Sequence, residues 1–189
     1  MVQEHQRPNI ARKKLMVVNT NALLGATAWG LAVHLIVELL RIYMIYLAAR
    51  GEIDLRQLPI VQIYPFGAWR MDILLPMGVI IVTDVGIGVL YAILHQREGM
   101  LTANDGAGGG SAAATFSHLL TGLLGIGLFW LIKTLLLQES LDASYAMGPV
   151  INVLWRWLFI LGIGSVLGSV GGVLGTALLL LWKRVRGGG

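Results

Sequence analysis

Four long apolar runs constrain what this chain can fold into more than any other feature. They lie at about 15–49, 73–95, 112–137 and 149–182. Each exceeds the roughly 20 helical residues needed to cross the ~30 Å hydrocarbon core of a bilayer. Transmembrane β-strands would be about ten residues long and alternate in polarity. In lipid every backbone polar group must be bonded internally, so continuous runs of this length predict helices. The expected fold is all-α: a polytopic integral-membrane four-helix bundle over residues 15–182, flanked by a polar tail at 1–14 and a basic tail at 183–189.

Composition agrees. Of 189 residues, 56% are hydrophobic and 13% are charged, against roughly 25% charged in an ordinary soluble domain. With no cysteine, disulfides, thiol catalysis and thiolate metal centres are excluded. The opening MVQEHQRPNIARKK is polar and basic. The apolar run after it is too long for a signal peptide and has no Ala-x-Ala-like cleavage site, which predicts a retained first helix.

Lys and Arg set the expected orientation. Arg7, Arg12, Lys13, Lys14, Arg97, Lys183, Arg184 and Arg186 fall on one side, and Arg50, Arg56 and Arg70 on the other. The positive-inside rule then puts both termini in the cytoplasm of a plasma or inner membrane. These flanks account for most of the basic residues, so no nucleic-acid partner is expected. Lipids, and other membrane subunits or copies of the chain itself, are the expected partners.

The connectors differ. Residues 50–72 hold Pro59, Pro65 and the string YPFGAWR and read as an ordered interfacial loop. Residues 96–111 end in NDGAGGGS and read as a flexible linker. The first and fourth runs are too long for the bilayer: about 35 residues make roughly 52 Å of helix. They are expected to project past the outer face, carrying Glu38, Arg41 and Arg156 to the headgroups or beyond.

Asp84 lies at the middle of its run, where a charged Asp costs roughly 2.5–3.5 kcal/mol on insertion scales and is a functional candidate by default. It reads as a neutral acid bonded to a residue such as Thr27 or Thr121, as a proton-carrying site, or as a contact to another subunit. His34, Glu38 and Arg41 stand at i, i+4 and i+7 on one helical face. They form either a relay or a Glu–Arg pair with His34 bonded to a neighbouring helix. His95 and His118 sit near the expected cytoplasmic ends of adjacent helices, as interfacial histidines or as a pair of haem ligands. Lys133 is expected to snorkel. Gly164, Gly168, Gly171, Gly172 and Gly175 form overlapping small-xxx-small spacings that let helices approach closely, inside the bundle or against another subunit, a pigment or a lipid.

No Ser/His/Asp or metal-ligand spacing is present along the chain, so no enzyme activity is expected and no metal. The leading reading is a non-catalytic integral-membrane subunit of a larger complex. The second is a small proton- or ion-coupled transporter or channel using Asp84. The third is a membrane electron-transfer subunit with His-ligated b-type haem. No cofactor is named by the sequence, and haem or a pigment stays open.

Overall fold

The computed structural model describes residues 18–63, 67–96, 102–135 and 143–187. Four helices follow one another: α1 (Thr20–Ala49), α2 (Met71–Gln96), α3 (Ala103–Leu135) and α4 (Ala143–Gly187). All four are long and apolar enough to cross a membrane. Both α2 and α3 pack against each other, and each packs against α1 and against α4, so α1 and α4 occupy the far corners of a diamond. The core is built of small residues and two large ones: Ala22, Ala26, Ala113 and Ala114 around Ile87 and Tyr91. Large apolar side chains such as Leu24, Ile36, Leu40, Val82, Leu123, Val166 and Leu178 point outward, as a lipid-facing surface requires.

The helix ends have local causes. Asn19 caps α1, its Oδ1 accepting from the Ala22 N–H at 2.9 Å. At the other end Gly51 takes φ +72°. Its N–H donates to the Ala48 carbonyl, and that of Glu52 to the Leu47 carbonyl. This is a Schellman closure, which needs a left-handed residue that only glycine supplies cheaply. The expected interfacial loop then carries a 3₁₀ turn (Leu55–Gln57) and a short antiparallel hairpin, β1 (Ile60–Ile63) with β2 (Gly67–Arg70). Its register pairs Ile60 with Arg70 and Ile63 with Gly67. Pro76 lies inside α2 without ending it.

One connector departs from expectation. The stretch read as a flexible linker is helix: α3 begins at Ala103, not near residue 112. Thr102 and Asp105 form a capping box, with the Asp105 N–H donating to Thr102 Oγ1 and the Thr102 N–H to Asp105 Oδ2, both at 3.2 Å. Isolated glycines disfavour helix, but here they are contact points. A Cβ at Gly106 would strike Thr176 and the Gly172 carbonyl, one at Gly109 the Tyr91 ring, and one at Gly110 the Gly168 carbonyl and Gly88 Cα. Close backbone packing overrides the local preference.

The glycines of α4 meet this same surface. Gly168 faces Gly110, Gly172 faces Gly106, Gly171 faces the Val85 carbonyl, and Gly175 faces Val89 and Ala92. These close approaches lie within the chain's own bundle. Glu38 and Arg41 form an ion pair on α1, with Arg41 Nε donating to Glu38 Oε2 at 2.9 Å. The tail at 1–14, Tyr64 and Arg97 lie outside the described residues. So do the side chains of Trp69, Trp130, Lys133, Tyr145, Trp155 and Arg156.

Candidate functional site

Three helices each send one ionisable side chain to the same point. His34 is the midpoint of the α1 span Thr20–Ala48, Asp84 is within a residue of the midpoint of Met71–Gln96, and His118 is within three of the midpoint of Ala103–Leu128. All three are buried, with Asp84 fully enclosed and the histidines 2% and 4% exposed. His118 Nε2 reaches both carboxylate oxygens of Asp84, at 2.8 and 3.0 Å. His34 Nε2 stands 3.4 Å from Asp84 Oδ1. The two imidazoles stack, with centroids 4.2 Å apart and planes 18° from parallel.

The surroundings hold these rings in place. His34 Nδ1 shares a 2.9 Å hydrogen bond with Ser117 Oγ. The glycine at 164 lets α4 close over the cluster, because a Cβ there would run into the His118 ring and come within 3.1 Å of Asp84 Oδ2. Trp157 of α4 donates its indole N–H to the His118 carbonyl at 3.0 Å. Even so, His34 Nε2 is left without a hydrogen-bond partner among the described residues. Ser117, His34 and Asp84 follow one another as in a hydrolase triad, but Ser117 is fully buried. Its Oγ lies against the Gly30 backbone, so no substrate carbonyl fits beside it.

Thr27 and Thr121 are not the partners of Asp84. Both donate to main-chain carbonyls, Thr27 to Ala113 at 3.4 Å and Thr121 to Ser117 at 2.8 Å. The later start expected for α3 is what hid His118 as the partner of Asp84. A helix beginning near residue 112 puts His118 close to the membrane surface. One beginning at Ala103 puts it about 22 Å from the helix start instead of about 9 Å, level with Asp84. The capping box at Thr102 and Asp105 was the available signal.

His95 belongs to a different group. It shares a 3.1 Å hydrogen bond with the Tyr91 hydroxyl, which also accepts the Asn19 N–H at 3.2 Å. On α2, His95 lies eleven residues past Asp84, about 16 Å along the axis. His118, held against Asp84, is therefore too far from it to share one haem iron. Between the central cluster and Tyr91 stand Ile87, Ala26, Ala113 and Ala114, all buried. Toward the opposite end Glu38, paired with Arg41, follows His34 by one turn of α1, and its side chain lies against Gly125 of α3.

The arrangement can do two things chemically. It can carry positive charge in the middle of a low-dielectric bundle, since Asp84 compensates it. It can also offer imidazole nitrogen and carboxylate oxygen to a metal ion. Compared with models of known protein families, with curated proteins and with solved structures, the chain matches none.

Proposed function

We propose that this four-span membrane protein binds a small cation at the centre of its bundle and passes it across the membrane. The observation that carries the reading is the buried His34 Nε2, which has no hydrogen-bond partner among the described residues and stands 3.4 Å from Asp84 Oδ1. A buried nitrogen left unsatisfied costs roughly 1–3 kcal/mol, and few are found in native structures. A cation between nitrogen and carboxylate removes that cost. Ionisable groups facing the interior of a bundle at mid-depth mark ion and proton pathways more generally. The polar side, with Glu38 one turn from His34, is the proposed entrance; the layer of Ile87 and alanines is the proposed seal. The basic residues flanking the helices favour cytoplasmic termini, which puts the Glu38 end on the outside.

The inert-subunit reading is favoured by one feature, an apolar groove of about 550 Å³ on the first half of α2, lined by Met71, Leu74, Leu75, Val79 and Val82. Its apolar lining is the chemistry a partner helix would contact. Flux decides between the two. Purified protein in liposomes, loaded with a pH-sensitive or metal-sensitive dye, should pass protons or a metal cation. Asp84→Asn keeps size and hydrogen-bonding capacity but removes the anion, and should abolish that flux while the protein stays folded. Wild-type liposomes that pass no cation, or an Asn variant that passes it normally, would overturn the carrier reading.

A further inference from the structure

The central cluster is also a donor set. One donor atom from each of His34, Asp84 and His118 lies within 4.8 Å of the other two. We propose that it binds a divalent first-row transition ion of the zinc class, held by His34 Nε2, His118 Nε2 and an Asp84 carboxylate oxygen. This rests on the cation-handling reading above and names the cation.

Four observations converge on it. His34 Nε2 is buried, aimed into the cluster and unpartnered among the described residues. Its other nitrogen is engaged by Ser117 Oγ at 2.9 Å, the arrangement in which an outer partner fixes the tautomer and frees Nε2 as a ligand. One spacing already suits the ion, whereas His118 Nε2, at 2.8 and 3.0 Å from the Asp84 oxygens, would draw back by a few tenths of an ångström on loading. Bonds of about 2.0–2.1 Å to nitrogen and oxygen make a tetrahedral edge of about 3.3 Å, and the His34 Nε2 to Asp84 Oδ1 distance is 3.4 Å. The donor types discriminate as well. Imidazole with carboxylate suits zinc, copper, nickel and iron, whereas magnesium and calcium call for oxygen throughout.

Binding requires His118 to release any proton on Nε2, as ligands must be deprotonated. One negative charge does not neutralise a divalent ion, so the loaded centre keeps a net positive charge in a low-dielectric interior. That weakens retention, and a site on a conduction path must let its ion leave. Because the ligands come from α1, α2 and α3, loading also ties together three helices.

The test uses the full chain in detergent, purified through a tag without histidine, and titrated with Co²⁺ while visible absorption is followed. One Co²⁺ per chain should give the absorption of a four-coordinate nitrogen and oxygen site, and Zn²⁺ should bleach it. His34→Ala and His118→Ala should each lose the signal, Ser117→Ala should weaken binding about 10–100-fold, and His95→Ala should bind normally. Thermal unfolding guards against misfolded variants: Zn²⁺ should raise the wild-type midpoint and leave that of His34→Gln unmoved. Absence of the Co²⁺ signal in wild type, or its survival in the His34→Ala/His118→Ala double variant, overturns the metal site. If cation flux still depends on Asp84 while Co²⁺ does not bind, only the identity of the ion is wrong. If Co²⁺ binds and no flux exists, the carrier reading falls and the site is static.

Discussion

Asp84 is tolerated at mid-bilayer because its partner is a side chain that can hold a proton toward both of its oxygens. The pair with His118 is fully enclosed, so removing one member leaves the other uncompensated. Breaking a buried pair in this way costs roughly 3–5 kcal/mol, whereas replacing both members by apolar groups is often neutral. His118→Leu should therefore lower the thermal midpoint in detergent more than the double variant Asp84→Leu/His118→Leu does. Equal losses in the two would mean that the pair contributes little. Tyr91 presents a milder case. Its hydroxyl joins the start of α1 to His95 near the end of α2, and interhelical bonds in membranes average about 0.6 kcal/mol. Tyr91→Phe should lower stability by about that amount; a loss of several kcal/mol would show that the Asn19 cap depends on it.

The helices are held together mainly by the absence of side chains. Where α3 and α4 cross, Gly110 and Gly168 approach backbone to backbone, as do Gly106 and Gly172. Leucine at Gly168 or Gly172 has no space and no flexible neighbour to displace. Overpacking of this sort costs about 1–3 kcal/mol, occasionally more. Gly78 and Gly162 have nothing within 4 Å of an added Cβ. Gly168→Leu should thus broaden or destroy the monodisperse peak on gel filtration and depress the unfolding midpoint, while Gly162→Leu should behave as wild type. If both behave alike, the glycine contacts between α3 and α4 carry no stability. The cap of α3 can be checked separately: Thr102→Ala should cost about 0.5–2 kcal/mol.

Across the whole molecule the question is which end faces which compartment. Ser111, although near the start of α3, cannot report on it, because it is half-buried and bonded to Ser165 Oγ at 2.7 Å. Gln57, exposed in the 3₁₀ turn between α1 and α2, and Arg184, exposed near the end of α4, sit at opposite ends of the bundle. A membrane-impermeant thiol reagent applied to intact cells should label Gln57→Cys and spare Arg184→Cys. The opposite pattern would reverse the charge-based orientation and move the Glu38 entrance to the cytoplasmic side. The length of α4, 45 residues or roughly 67 Å of helix, exceeds the ~30 Å core. Part of it therefore extends beyond the hydrocarbon unless the helix is steeply tilted.

The number of spans was legible from residue order alone, because hydropathy over twenty residues is a local sum and the bilayer thickness is a fixed ruler. The close-packing glycines of α4 were legible in the same way, since their period of four is the period of a helix face. The start of α3 was not, since NDGAGGGS has the composition of a linker and becomes helix only where Gly88, Gly168 and Gly172 give its backbone something to lie against. That single boundary decided the depth of His118. His34, Asp84 and His118 stand on three helices, far apart in sequence, and no local spacing rule links them. Their convergence depends on how deep each helix sits in the bundle. Depth is set by packing between helices, which is why a carboxylate without an evident cation in the sequence has two histidines beside it in the structure.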